Sequence, residues 1–300
     1  MKTRAFDLAQ EFIWRNARLI DRYLFTCLFC QGPKAAVITA LKAYQNPDGG
    51  FGNALEPDKR TPASQPIDAE VALRYLDAVD ALSDAQVHHD LLLPLCGWLQ
   101  SVTTEQGGIP FVLPSANAYP HTPWMGTADD HPLAALNPTA SVTGFLLKGG
   151  VRHAWVDRAV EFCWQNIEAS SDHEYHTMVT EQVFLQNAPD PLRAAGLLAQ
   201  LIERARQPGM VEFDPNAGGY VYMPLNWAGQ PDSPFRVLFN NDVLRTHLKS
   251  LANRQQADGG WPITWDSVGP AAEMEWRAKG TIEAIITLRA YQAAGIDIDD

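Results

Sequence analysis

The chain has 300 residues, 46% hydrophobic and 19% charged, a globular composition that excludes a disordered polypeptide. Its formal net charge of −12 argues against nucleic acid or an anionic membrane surface as partner. It has no run of about 18 apolar residues, so no membrane span is expected. Asp7 and Glu11 fall where a signal peptide needs apolar residues, which points to the cytoplasm.

From the N-terminus onward the apolar period is helical. Cys27 and Cys30 form a C-x-x-C inside the apolar run LFTCLFC and read as two buried helical cysteines, since no second pair completes a zinc site. Val37, Ile38, Leu41 and Tyr44 mark one helix face, and Val71, Ala72, Tyr75, Leu76, Val79 and Leu82 the next. Ser83 with Gln86 has the spacing of a capping box. Val156, Ala159, Val160, Cys163, Trp164 and Ile167 mark a third face, Asp190–Pro191 reads as an N-cap and first helical residue, and Val243, Leu244, His247, Leu248 and Leu251 mark a fourth face. The β-prone stretches 109–113 and 219–223 are short and lie in loops. The expectation is an all-α protein of roughly eleven or twelve helices.

An internal repeat organises these helices. Residues 41–51 read LKAYQNPDGGF and residues 251–261 read LANRQQADGGW, both containing Q-x-x-D-G-G-aromatic. Weaker copies lie at Gln106–Ile109 and Gly218–Tyr220, and a missing one is expected near residues 165–174. Each copy predicts a helix ending at the Gln, a reversal that needs the glycines, and a long loop before the next helix. The loops at about 46–66, 103–138, 208–235 and 256–276 hold most of the 21 prolines. Five or six such hairpins, stacked in order, predict one α/α-toroid domain over residues 1–300 with its loops gathered at one end.

The Q-x-x-D-G-G-[FW] element resembles the QW-type repeat of squalene and terpene cyclases and of protein prenyltransferase β-subunits. That resemblance implies an α/α toroid and, for the cyclases, protonation of an alkene by the middle Asp of a D-x-D-D motif. The nearest match is Thr127-Ala128-Asp129-Asp130, with Asp129 at the donor position and Thr127 in place of the first Asp. Prenyltransferases hold zinc with an Asp, a Cys two residues on, and a His in a Y-H-T segment. Tyr175-His176-Thr177 supplies the last, but no D-x-C exists, so no metal is expected. His173, Glu174 and His176 read instead as a polar helix N-terminus.

The four loops also carry 13 acidic residues against only Lys59 and Arg60, and five of the nine Trp. An acidic, aromatic mouth suits a cation, a polyol or an apolar molecule to be protonated. The candidate catalytic acids are Asp129, Asp130, Asp58 and Asp266. The candidate substrate-binding residues are Trp124, Trp227, Trp265 and Tyr222. The ligand expected is a small isoprenoid-like or sugar-like molecule, with no cofactor, and a toroid of this length calls for a partner chain or a second copy of itself. The function expected is an acid-initiated cyclase-like enzyme; the alternatives are a carbohydrate-active or sugar-binding toroid and a non-catalytic binding module.

Overall fold

A computed structural model describes residues 3–296 and shows an all-α protein. Eleven helices of nine residues or more run α1 Thr3–Asn16, α2 Leu19–Phe29, α3 Lys34–Lys42, α4 Pro66–Ala78, α5 Leu93–Val102, α6 Leu136–Lys148, α7 Ala154–Ala169, α8 Tyr175–Asn187, α9 Pro191–Ala205, α10 Asn241–Asn253 and α11 Pro270–Ala293. Among the described residues, β structure is confined to the isolated bridges Gln45–Phe51 and Lys59–His121. Asp190 caps α9 as expected, its Oδ1 accepting from Arg193 N at 3.1 Å. The capping box at Ser83 does not form. Asp84 takes the N-cap position of the short helical segment Ala85–Val87, without a side-chain cap, and Gln86 turns its amide to Asp90 instead. No described helix is long and apolar enough to cross a membrane.

The backbone groups into two compact units, Thr26–Ala199 and Met1–Phe25 with Gln200–Asp300. The first is built around α6, in which every residue from Pro138 to Leu146 is buried. A helix buried on all faces must place its polar groups internally. Thr143 Oγ1 donates to Thr139 O at 2.7 Å, Ser141 Oγ to Pro138 O at 3.0 Å, and Thr139 Oγ1 to Ile109 O at 3.1 Å. α6 packs against α4, α7 and α8. Its contact with α8 is close because Gly144 lacks a side chain: a Cβ there would lie 2.6 Å from the carbonyl oxygen of Val183. In the second unit α11 packs beside α1 and α10, burying Ile282, Ile285, Leu288 and Tyr291. The Tyr291 hydroxyl donates to Ala228 O at 2.6 Å, and burial pushes its pKa up to about 12.

The repeat is a real structural unit at three of its four sites. After α3, Gly49 has φ +92°; after α5, Gly107 has φ +98°; after α10, Gly259 has φ +93°. Each turn is closed the same way. Gly49 N donates to Asn46 O and Asn46 N to Gly50 O, and the matching pairs are Gly107–Thr104 with Thr104–Gly108 and Gly259–Gln256 with Gln256–Gly260. Each glycine pair then lies on two residues one turn apart on another helix: Pro94 and Trp98 of α5, Arg158 and Phe162 of α7, Leu8 and Phe12 of α1. Side chains at the second glycine would overlap Trp98, Phe162 or Phe12, at 2.5, 2.7 and 2.6 Å. The Gln of the motif ties the two parts together. Gln45 Nε2 donates to Gly49 O and Leu91 O, and Gln255 Nε2 to Gly259 O and Ala5 O. In the middle copy Thr103 holds that position, and the indole of Trp155 reaches it from α7 at 2.7 Å.

The fourth copy is not such a turn. Gly218 and Gly219 face open space, and the left-handed residue is Gly219, followed by Tyr220 rather than by a second glycine. Nor is there a glycine turn near residues 165–174, where α7 continues to Ala169 and Glu174 then caps α8.

Candidate functional site

In the Thr26–Ala199 unit, the segment after the first turn folds into a hairpin, with Asn53 N and Ala54 N donating to Pro62 O and Thr61 O. Asn53 and Ala54 both hold left-handed backbone, φ +56° and +57°. Such strain in non-glycine residues collects where the surroundings over-determine the chain, often at functional sites. The hairpin brings three ionisable groups, Glu56, Asp58 and Lys59, into the interior beside Asp68 of α4. Asp58 is 4% exposed and Lys59 0%, and Glu56 and Asp68 are buried beside them. Lys59 Nζ lies 2.7 Å from Asp68 Oδ2 and 3.8 Å from Glu56 Oε2. Asp68 Oδ1 accepts from Glu56 N at 2.7 Å, and Glu56 Oε2 from Asp58 N at 2.8 Å. One buried ammonium held by two buried carboxylates, with a third buried acid adjoining in sequence, is a costly arrangement that apolar packing would match or better for stability alone, which makes the cluster a candidate site.

A second strand-like segment runs alongside. Thr122 N donates to Asp58 O at 2.8 Å and Arg60 N to Pro120 O at 2.9 Å. This pairing sets Trp124, 47% exposed, over the acid, and its indole Nε1 donates to Asp58 Oδ2 at 2.9 Å. Asp58 and Trp124, 66 residues apart, are thus brought together as the second of the acidic loops meets the first.

The other candidate acids stand differently. Asp129 is exposed and spends its carboxylate on its own turn, Oδ1 accepting from His131 N at 2.8 Å. Asp130 is exposed in the same turn, and Asp266 is exposed in the other unit. The polar-helix reading of residues 173–176 holds: Glu174 caps α8, accepting from His176 N and Thr177 N at 3.0 and 2.7 Å. Among the described residues no group of three or more His, Cys, Asp and Glu could hold a metal ion.

In the other unit, Trp265 and Tyr222 meet through Tyr220, with ring centroids 5.7 Å apart for Tyr220–Trp265 and 5.6 Å for Tyr220–Tyr222. Trp276 extends the cluster 5.2 Å from Trp265, and the Lys279 ammonium lies 4.4 Å above Trp276. Tyr220 is 53% exposed, while the buried Trp265 indole N–H has no hydrogen-bond acceptor. Trp227 is not in this cluster. It is buried against Phe235 and donates to Met210 O at 3.2 Å, a core residue. A separate open groove of about 590 Å³, on the Thr26–Ala199 unit, is bordered by Lys42, Gln45, His89, Asp90 and Pro94 and by none of the candidate residues. There the His89 ring, then the Lys42 ammonium and the Gln86 amide, hold the Asp90 carboxyl far below the usual range.

Sequence reasoning missed Asp68 because an acidic residue in the first turn of a helix beginning at Pro66 looks like ordinary dipole compensation. It counted Trp276 in the loop ending at residue 276, whereas Trp276 lies on α11, and it missed Lys279 further along the same helix because nothing in the sequence ties that lysine to an aromatic.

No family model matches the chain, and no curated protein matches it. Among solved structures it is similar to a protein from Actinoplanes, with a TM-score of 0.54 and 15% identity over 96% of this chain and 99% of that one. At that identity the likeness defines a shared fold.

Proposed function

We propose that the protein is a small-molecule enzyme of terpene-cyclase-like architecture, an α/α toroid of helical hairpins, in which Asp58 rather than Asp129 transfers the initiating proton. The observation that carries this reading is the hydrogen bond from a half-exposed indole to a carboxyl that is almost fully buried, Trp124 Nε1 to Asp58 Oδ2 at 2.9 Å. The indole orients the carboxyl and presents an aromatic face beside it, the pairing needed to protonate an apolar molecule and shelter the cation formed. Glu56 accepts from the backbone N–H of the acid, and Asp68 in turn from that of Glu56. The internal repeat and the docking of its last turn on α1 support the toroid.

The test is Asp58→Asn, which keeps an acceptor for Trp124 and removes the acid. Wild type and variant are incubated with a panel of linear polyenes and isoprenoid diphosphates, and products are read by mass spectrometry. The expected result is turnover of at least one polyene by the wild type, reduced at least about 100-fold in the variant with its melting temperature retained. Undiminished turnover by Asp58→Asn would remove Asp58 from the mechanism. The second reading, sugar binding, is favoured by one observation, the exposed Tyr220 ring joined to Trp265 and Trp276. It predicts that malto- or cello-oligosaccharides raise the melting temperature and that Tyr220→Ala abolishes the effect.

A further inference from the structure

The structure separates the four cysteines into two kinds. Cys96 and Cys163 are buried, and burial pushes the Cys96 thiol up to about 12 and the Cys163 thiol higher still. Cys27 is half-buried and Cys30 exposed, which corrects the expectation of two buried helical cysteines. The apolar run around them misled because α2 ends at Phe29, so Cys30 already lies past the last helical residue.

We infer that Cys27 and Cys30 form a thiol–disulfide exchange site that takes low-molecular-weight disulfides and closes into an intramolecular disulfide. Residues three apart on a helix hold their Cβ atoms about 5–6 Å from one another, whereas a disulfide needs roughly 3.5–4.5 Å. In a helix interior that gap would break the hydrogen-bond ladder. Here the backbone is arranged so that Cys30 can move. Thr26 O accepts from Cys30 N at 2.9 Å and also from Gly32 N at 2.8 Å. When Cys30 shifts towards Cys27 and gives up its bond, the Thr26 carbonyl keeps the other, so no backbone acceptor is stranded. Two features preserve that second bond. Gln31 holds left-handed backbone, φ +57°, turning the chain back over the helix end. Gly32 has no side chain, and a Cβ there would lie 2.9 Å from Thr26 Oγ1 and 3.0 Å from its carbonyl carbon.

The chemistry balances without a metal or cofactor. The Cys30 thiolate attacks one sulfur of the small disulfide, forming a mixed disulfide and releasing one thiol. The Cys27 thiolate then attacks the Cys30 sulfur, releasing the second thiol. Two protein thiols are oxidised, one small disulfide is reduced, and the two protons leave with the two released thiols. Cys30 attacks first because it is the more accessible, and Cys27 resolves.

The native protein is incubated with excess glutathione disulfide, quenched in acid, and measured by intact mass and peptide mapping. The expected product has lost two hydrogens and carries a Cys27–Cys30 link, with no glutathione retained and Cys96 and Cys163 still reduced. Cys27→Ser is expected to stop at one glutathione on Cys30. Cys30→Ser is expected to lose the adduct and the link alike. Both substitutions are outside the packed core, and a circular dichroism spectrum confirms that each variant is folded. Glutathione retained on the wild type, no reaction at either thiol, or a link seen only after denaturation would each overturn the proposal.

Discussion

Lys59 and Asp68 pair at 2.7 Å with both side chains at zero exposure, so removing the ammonium takes the nearest opposite charge from a buried carboxylate. Lys59→Met should destabilise the protein by about 3–5 kcal/mol in urea unfolding. Lys59→Met combined with Asp68→Leu should recover a substantial part of that loss, because an apolar pair carries no desolvation cost. A double variant less stable than Lys59→Met would show that Asp68 is held chiefly by its bond to the Glu56 amide. His247 offers a second test. Its ring is buried and meets Phe213 O at 3.2 Å, and burial holds its pKa below the usual 6.5 despite opposing help from that carbonyl and from Asp214 and Glu212. Between the folded value and 6.5 the unfolded chain binds the proton more readily. The contribution is therefore complete above that range and is lost as pH falls through it. Melting temperature should fall more steeply from about pH 7.5 to about pH 5.5 in the wild type than in His247→Gln. Parallel curves would assign the acid sensitivity elsewhere.

At the scale of elements, the glycine turns carry sharply different demands. Gly259 has left-handed backbone, and a Cβ there would lie 2.0 Å from the Leu8 carbonyl oxygen. Gly259→Ala should cost roughly 1–3 kcal/mol or more, and Gly260→Ala a similar amount through overlap with Phe12. Gly218→Ala faces open space and should stay within about 0.5 kcal/mol of the wild type. Equal chemical-denaturation midpoints for all three would contradict the docking described above. These contrasts show how far the helices and turns could be read from sequence. The helical period was strong, and the two full Q-x-x-D-G-G copies marked real turns with the right residues. The middle copy was weak because Thr103 and Trp155 replace the Gln amide from opposite sides of the contact, a substitution visible only in space. The Gly218–Gly219 pair imitated the motif without a helix beneath it. Asp58 and Trp124 stand out in the sequence by their loop positions, but their hydrogen bond depends on pairing between segments 58–60 and 120–122 that neither segment's residues advertise. Asp129 was drawn from a motif whose local sequence, with Thr127 and His131 flanking it, also suits a self-contained turn, and that is the conformation it adopts.

At the scale of the molecule, one compact unit is assembled from the two ends of the chain, a grouping that no linear pattern marks. The reason lies in α1. It receives the third glycine turn on Leu8 and Phe12, accepts the Gln255 amide at Ala5 O, and lies beside α11, with Arg277 4.7 Å over the Phe12 ring and Arg289 4.4 Å over Phe6. A chain begun at Arg18 would uncover the Gly259–Gly260 turn and the face of α11 that packs on α1. It should be cut by protease within residues 255–290 under conditions that leave the full chain intact. Equal resistance would mean that α1 is dispensable to that unit.

The order of parts around each turn carries a further consequence. After the first turn come α4 and then α5, which receives that turn; after the second come α6 and then α7, which receives that one. After the third comes α11, and the receiving helix is α1, at the other end of the polypeptide. The third turn is thus met by a helix that precedes it in the sequence, whereas the first two are met by helices that follow them. A circular permutant that opens at Arg18 and carries residues 1–17 behind Asp300 on a short flexible linker would restore the succession turn, helix, receiving helix in all three copies. It should fold with the helical content and the protease resistance of the natural order, where the simple deletion fails.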